Sequence, residues 1–184
     1  WRSLGHGFRR FLVPAGLFAL GYYSLGFLLV KAHAMGFGVS GVVLLYALFN
    51  TTCVIAAPLA GRLGDRIGRS RVVVLGYAIY GLVNLGMLAV GERWQLVALF
   101  ALCGVFYAIE ESQSRAFIAD LEPQRRATAI GLYNLVTGTL YLPASLIAGA
   151  LWTVSPAAAF AVAAALSAAA MLAFAVLRPA GIAP

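Results

Sequence analysis

Charged side chains are scarce in this sequence: Asp, Glu, Lys and Arg make up 10% of 184 residues, against roughly 25% in ordinary soluble domains. So few polar groups cannot cover the surface of a globule of this size, which excludes a water-soluble fold. Cysteine is nearly as rare. Cys53 and Cys103 both lie inside long apolar runs, where each reads as a small buried thiol, and neither a disulfide nor a metal site is assigned. The only histidines are His6 and His33. No His-Glu-x-x-His pattern is present, so metal-dependent proteolysis within a membrane has no candidate ligands. Lysine occurs once, at Lys31; with abundant arginine and alanine this is the composition expected of a GC-rich bacterial genome.

What fills the sequence instead is hydrocarbon: 62% of residues are hydrophobic, and the mean hydropathy is +0.93. Crossing a bilayer takes about 20 apolar residues per helix. Six stretches qualify, expected near 11–30, 40–60, 72–90, 95–121, 127–152 and 156–177, all in a single transmembrane domain covering 1–184. The expected fold is an all-α integral membrane protein with six transmembrane helices.

The basic residues sort by side. Arg2, Arg9, Arg10, Arg62, Arg66, Arg69, Arg71, Arg115, Arg125, Arg126 and Arg178 fall on one side of this topology, and only Lys31 and Arg93 on the other. That bias places both termini in the cytoplasm. The net charge of +7 therefore reflects topology, and dispersed arginines in short loops exclude a nucleic-acid partner. Spans 1–3 begin inside and end outside, and spans 4–6 do the reverse. This is the arrangement of two inverted three-helix units.

Two segments stand out chemically. Gly61-Arg62-Leu63-Gly64-Asp65-Arg66-Ile67-Gly68-Arg69-Ser70-Arg71 is an arginine-rich stretch between two apolar runs, expected as a loop in water beside the membrane. Gly61 and Gly68 would allow close approach and a tight turn. Asp65 offers a carboxylate for a helix N-terminus, and Arg66 and Arg69 can pair with carboxylates or lipid phosphates. The second segment places Glu110 and Glu111 where span 4 is still in or near the bilayer. A charge at the bilayer centre costs roughly 2.5–3.5 kcal/mol, so both should face a cavity or a partner. Glu111 and Arg115 stand four apart and can pair along a helix, while Asp120 can cluster with Arg125 and Arg126.

The spacing Gly-x-Leu-x-Asp-Arg-x-Gly-Arg over residues 61–69 resembles the signature loop of the major facilitator superfamily of secondary transporters. Ser70 departs from it, standing where a further basic residue is common. A second resemblance runs through Glu111-Ser112-Gln113-Ser114-Arg115-Ala116, Ala119-Asp120-Leu121-Glu122-Pro123, Arg126-Ala127-Thr128-Ala129 and Gly131-Leu132-Tyr133-Asn134. These are similar to the tenth helix and following segment of bacterial members, with Ser112 and Ala127 where glycines are usual. Together they imply the C-terminal six-helix half of such a transporter, in the bacterial inner membrane. The sequence starts at Trp1 with no methionine, and the N-terminal half is expected to be absent from it; a homodimer of two copies is the alternative. The resemblance implies that Gly61, Leu63, Asp65, Arg66, Gly68 and Arg69 form a latch that breaks as the transporter changes its open side. It also implies that spans 1, 2, 4 and 5 line a central cavity, favouring Tyr23, Tyr46, Asn50, Tyr107, Asn134 and Tyr141. No cofactor is implied.

Low dielectric favours the neutral form of a carboxyl group, which suits proton coupling. Glu110, Glu111, Arg115, Asp120 and Arg126 are the candidate relay, with Glu111 foremost; the competing reading keeps Glu111 ionised against Arg115. In span 5, Gly131, Asn134, Gly138, Tyr141 and Ser145 recur at three- and four-residue steps. Such a small, polar stripe faces either a wet cavity or a closely packed helix, and Pro143 within it predicts a kink or local unwinding. Span 6 has no polar face and is expected to support the bundle from the lipid side.

Two further matches are accidental. Gly36-Phe37-Gly38-Val39-Ser40-Gly41 fits a dinucleotide fingerprint but follows a membrane span, not a strand. Gly38-Val39-Ser40-Gly41 also matches the nucleophile motif of six-helix rhomboid proteases. Both histidines precede Ser40, so no later base can activate it, and Ser40 reads as a helix N-cap. An enzyme is therefore not expected. The function read from the sequence is secondary transport of a small organic solute, with protons as the coupling ion and alternating access as the mechanism. The alternative is a non-transporting membrane scaffold that keeps the fold.

Overall fold

The computed structural model of the protein describes residues 4–179, and Arg2 lies outside them. Among the described residues the regular structure is entirely helical: α1 (His6–Gly21), α2 (Gly26–Ala34), α3 (Val39–Ile67), α4 (Arg69–Ala89), α5 (Arg93–Ile109), a π-helical turn (Glu110–Ser114), α6 (Arg115–Leu121), α7 (Arg126–Val154) and α8 (Pro156–Leu177). They form six segments long and apolar enough to cross a membrane: His6–Ala34, Val39–Ile67, Arg69–Ala89, Arg93–Leu121, Arg126–Val154 and Pro156–Leu177.

The packing is pairwise and symmetric. Span 1 lies against spans 5 and 6, span 4 against spans 2 and 3, and spans 3 and 6 against each other. Span 2 also touches span 3, and span 5 touches span 6. Exchanging span 1 with 4, 2 with 5 and 3 with 6 maps every one of these contacts onto another or onto itself. The contacts of the two three-helix units thus follow an approximate two-fold pattern, in which the exchanged helices α4 and α8 meet each other.

Because lipid is as apolar as the side chains, close van der Waals packing and internal hydrogen bonds hold such helices together. An aromatic spine supplies much of the packing. Phe18 stacks on Tyr77 with centroids 4.2 Å apart, Tyr80 meets Phe106 at 4.7 Å, and Phe11 meets Phe117 edge-on at 5.0 Å. Cys103 is buried and Cys53 half-buried. Gly104 lets α5 approach α3 so closely that a Cβ there would sit 2.5 Å from the Phe49 carbonyl oxygen. α8 is less purely apolar in its contacts than its composition suggests, for Ser167 is buried and donates to the Tyr77 carbonyl at 2.5 Å.

Both described ends of the chain lie at the same end of the bundle as the arginine-rich turns. The Gly5 amide donates to Glu122, and Pro179 sits against Gly7. At the opposite end Arg93 donates to the Gly36 carbonyl at 3.1 Å and lies over the Phe37 ring.

Several local expectations change. α3 continues through the arginine-rich segment to Ile67, so only Gly68, with φ +94°, makes the turn into α4. Gly61 is helical with open space beside it, and Gly64 is the glycine in close contact. The N-cap of α3 is Gly38, with Ser40 already inside the helix. α7 runs unbroken through Pro143. The interruptions fall elsewhere, in spans 1 and 4.

Candidate functional site

Span 1 breaks between Gly21 and Gly26, which frees backbone groups that lipid cannot satisfy. Span 3 satisfies one of them. Tyr80 donates its hydroxyl to the Gly21 carbonyl at 3.0 Å, and Asn84, fully buried, donates to the Tyr80 carbonyl at 2.8 Å. Tyr23 closes the network by donating to Asn84 Oδ1. Tyr23 is thereby buried in the packing of α4, and its neighbour Tyr22 is the one that reaches the open cleft.

Span 4 is interrupted by the π turn, which carries Glu110, Glu111, Ser112, Gln113 and Ser114. Such turns insert a residue into a helix and redirect the side chains around it. Gln113 turns inward against Gly64 of α3, where a Cβ on the glycine would collide with its amide oxygen. That oxygen is buried without a hydrogen-bond partner. Glu110 and Glu111 are directed toward the cleft. Spans 1 and 4 are counterparts in the two-fold arrangement, and both interruptions begin in the middle third of their spans. Paired interruptions of this kind are where transporter bundles place their binding sites.

The cleft has a volume of about 200 Å³ and is walled by Tyr22 from span 1, Tyr107, Glu110, Glu111, Ser114 and Arg115 from span 4, and Tyr133, Asn134, Thr137, Gly138 and Tyr141 from span 5. Both oxygens of Glu110 are engaged: Ser114 donates to Oε2 at 2.9 Å and Tyr133 to Oε1 at 2.7 Å. Tyr133 is itself stacked on Phe11 of α1 with centroids 5.9 Å apart. Glu111 pairs with Arg115 at 2.9 Å in a bridge about half exposed on both sides. Tyr22 and Tyr141 face each other at 5.0 Å across the cleft. The result is a polar recess with one enclosed carboxylate, one exposed ion pair and four tyrosine rings.

At the arginine-rich end, Arg69 begins α4 and reaches across to α6. Its Nη1 donates to the Ala116 carbonyl at 3.1 Å and to Asp120 at 2.9 Å, while Nη2 lies 3.7 Å from Asp65. Asp65 sits within α3 and faces Arg69; the N-terminus of α4 has no side-chain cap. Asp120 is thus drawn to the signature segment. Leu63 is partly buried against the small cluster of Ala60, Val72 and Ile109. Arg66 and Arg126 are exposed.

Of the cavity candidates, the structure brings Tyr107, Asn134 and Tyr141 to the cleft and leaves Tyr23 in the packing. Tyr46 and Asn50 lie together on the open face of α3, where Asn50 donates to the Tyr46 carbonyl at 2.8 Å, away from the cleft lining. The span 5 stripe faces outward, and Gly131 and Gly138 have open space beside them, which fits a cavity wall better than a packed interface. Tyr22, Tyr133 and Thr137 are lining residues that the spacing argument passed over. Thr137 lies three residues from Asn134 and Tyr133 four residues before Thr137, and the two could be assigned to the cleft only once span 4 was known to face span 5.

A half-bundle of six spans, two of them interrupted around a shared polar recess, is the architecture of a secondary transporter domain. Comparison with known proteins gives the same class. A profile of the Major Facilitator Superfamily matches residues 12–183, and the chain belongs to that family. It is 34% identical over 166 residues to the uncharacterized MFS-type transporter MJ1317 of Methanocaldococcus jannaschii. That match covers 86% of this chain but 42% of the relative, so the chain spans about two fifths of that protein's length.

Proposed function

We propose that this domain works as the C-terminal half of a proton-coupled transporter that moves a small organic solute by alternating access. The observation that carries the reading is the meeting of the two interrupted spans at a recess holding an enclosed carboxylate. Family membership supports transport; the recess supports the rest.

Protonating Glu110 turns one of its oxygens from an acceptor into a donor. The bonds that Ser114 and Tyr133 donate to it then weaken, because a neutral carboxyl accepts less strongly than a carboxylate. Because Tyr133 belongs to α7 and stacks on α1, the proton state of Glu110 is linked to the seating of spans 1 and 5. The Arg69–Asp120 and Arg69–Ala116 contacts hold span 3 to span 4 at the arginine-rich end, a latch that opens and re-forms with the transport cycle. The arginine bias supports a cytoplasmic position for that end, in an inner membrane of bacterial type. The exposed faces of α3 and α7 receive a second six-helix unit, either another segment of the same protein or a second copy.

The test uses the full natural gene product with Asn134→Cys in a background of Cys53→Ala and Cys103→Ala. A membrane-impermeant maleimide is added from each side with and without an imposed pH gradient. Transport predicts labelling whose sidedness or rate shifts with the gradient. Labelling blocked under every condition would contradict it and favour a scaffold that keeps the fold.

A further inference from the structure

Outside the cleft, a groove of about 270 Å³ runs between α4 and α8 at the arginine-rich end. Its walls are Val74, Met171, Phe174 and Ala175, and Ser70 and Arg71 stand at its mouth. Arg178 follows Phe174 by one helical turn, its amide donating to the Phe174 carbonyl at 3.1 Å, so a second arginine ends the other wall. Neither Arg71 nor Arg178 has an ion pair or side-chain hydrogen bond among the described residues. The acids of this end are already engaged: Asp65 and Asp120 by Arg69, Glu111 by Arg115, Glu122 by the Gly5 amide. One unpaired cation, Arg71, therefore lines an apolar trough, a second, Arg178, caps the helix that forms its other wall, and the first turn of α4 adds N–H groups without a side-chain cap.

The opposite end supplies a contrast. A groove of about 300 Å³ between α4 and α5, walled by Val90, Trp94, Leu99 and Leu102, has a comparable apolar surface. Its neighbouring arginine, Arg93, is held by the Gly36 carbonyl and the Phe37 ring. Of these two grooves, the α4–α8 one joins apolar walls to unpaired positive charge among the described residues.

We propose that the α4–α8 groove binds one anionic phospholipid, its phosphate held by Arg71 and Arg178 and one acyl chain lying along Val74, Met171 and Phe174. Basic recesses between spans commonly hold anionic headgroups. Bound there, the lipid would bridge α4 and α8, outside the solute cleft.

The experiment is native mass spectrometry of the full natural gene product, delipidated in detergent and titrated with dioleoylphosphatidylglycerol or dioleoylphosphatidylcholine. The expected result is selective retention of one phosphatidylglycerol. Arg71→Gln and Arg178→Gln should each weaken it about fivefold, the equivalent of about 1 kcal/mol per basic side chain near an anionic surface. Ala175→Trp, which fills the trough from the lipid-facing side, should weaken it with both charges intact, and Arg62→Gln should leave it unchanged. Equal retention of the two lipids, or wild-type retention in both Arg71→Gln and Ala175→Trp, overturns the proposal. Displacement of the lipid by millimolar inorganic phosphate also overturns it, assigning the arginines to a free anion.

Discussion

Replacing Gly104 with alanine should loosen the contact between α5, which leads into the carboxylate turn, and α3, which leads into the arginine-rich segment. The added Cβ would lie 2.0 Å from Thr52 Oγ1 and 2.5 Å from the Phe49 carbonyl oxygen, where ordinary contact begins at 3.4 Å. Thr52 is held by its hydrogen bonds to the Leu48 and Phe49 carbonyls at 3.0 and 2.9 Å, and the Phe49 oxygen is backbone. The helices must therefore part by at least about 0.9 Å at this point, the amount that the Phe49 oxygen alone requires. A gap of 0.5–1 Å forfeits about a quarter to a half of each dispersion contact across it. Overpacking of this kind costs about 1–3 kcal/mol, and the helix-propensity gain of Gly→Ala returns only about 0.5–1 kcal/mol. The net expectation is a loss of about 1–2 kcal/mol. Gly131→Ala is the control, since nothing lies within 4 Å of that position and only the propensity gain applies. Denaturant unfolding of the full natural gene product in detergent should rank Gly104→Ala below wild type and Gly131→Ala at or above it. If the two variants are equally stable, the α3–α5 packing argument is wrong.

Four other substitutions probe the polar contacts. Arg69→Ala should destabilise more than Asp120→Asn, because it removes the Ala116 contact as well. The Arg69–Asp120 coupling in a double-mutant cycle should be no more than about 1 kcal/mol for so exposed a pair; a coupling several times larger would contradict the exposure argument. Gln113→Met should be neutral or stabilising by about 1 kcal/mol in the same unfolding assay, since it deletes a buried acceptor that has no partner; a marked loss would mean the oxygen is bonded after all. Tyr23→Phe should cost about 1–3 kcal/mol by leaving Asn84 Oδ1 buried and unpaired, and an unchanged midpoint would show that the span 1 break does not depend on that network.

The sequence made the six spans legible because each is a long apolar run bounded by glycine, proline or arginine, and the expected 156–177 span coincides with α8. It did not reveal the breaks. Tyr22 to Leu25 contains no proline, and the span 1 interruption depends on a hydrogen bond donated by Tyr80 and one accepted by Asn84, about sixty positions away in sequence. Likewise, no local signal marks Glu110–Ser114 as a π turn. Its effect was to reverse the roles of neighbouring acids. Glu111, singled out by spacing, pairs with Arg115 at the rim, while Glu110 is enclosed by Tyr133 from a span 23 residues on. The signature segment was recognisable by its spacing, yet its partners, Ala116 and Asp120, are 47 and 51 positions away and could be assigned only in three dimensions.

The central claim is that the proton state of Glu110 drives the change in cleft exposure. It is tested most directly by repeating the Asn134→Cys labelling in a Glu110→Gln background, which keeps an acceptor for Tyr133 but cannot ionise. The account predicts that wild-type Glu110 gives labelling that responds to an imposed pH gradient and that Glu110→Gln abolishes the response while leaving the protein folded and inserted. A response of equal size in Glu110→Gln would contradict the account and move the coupling away from this carboxylate.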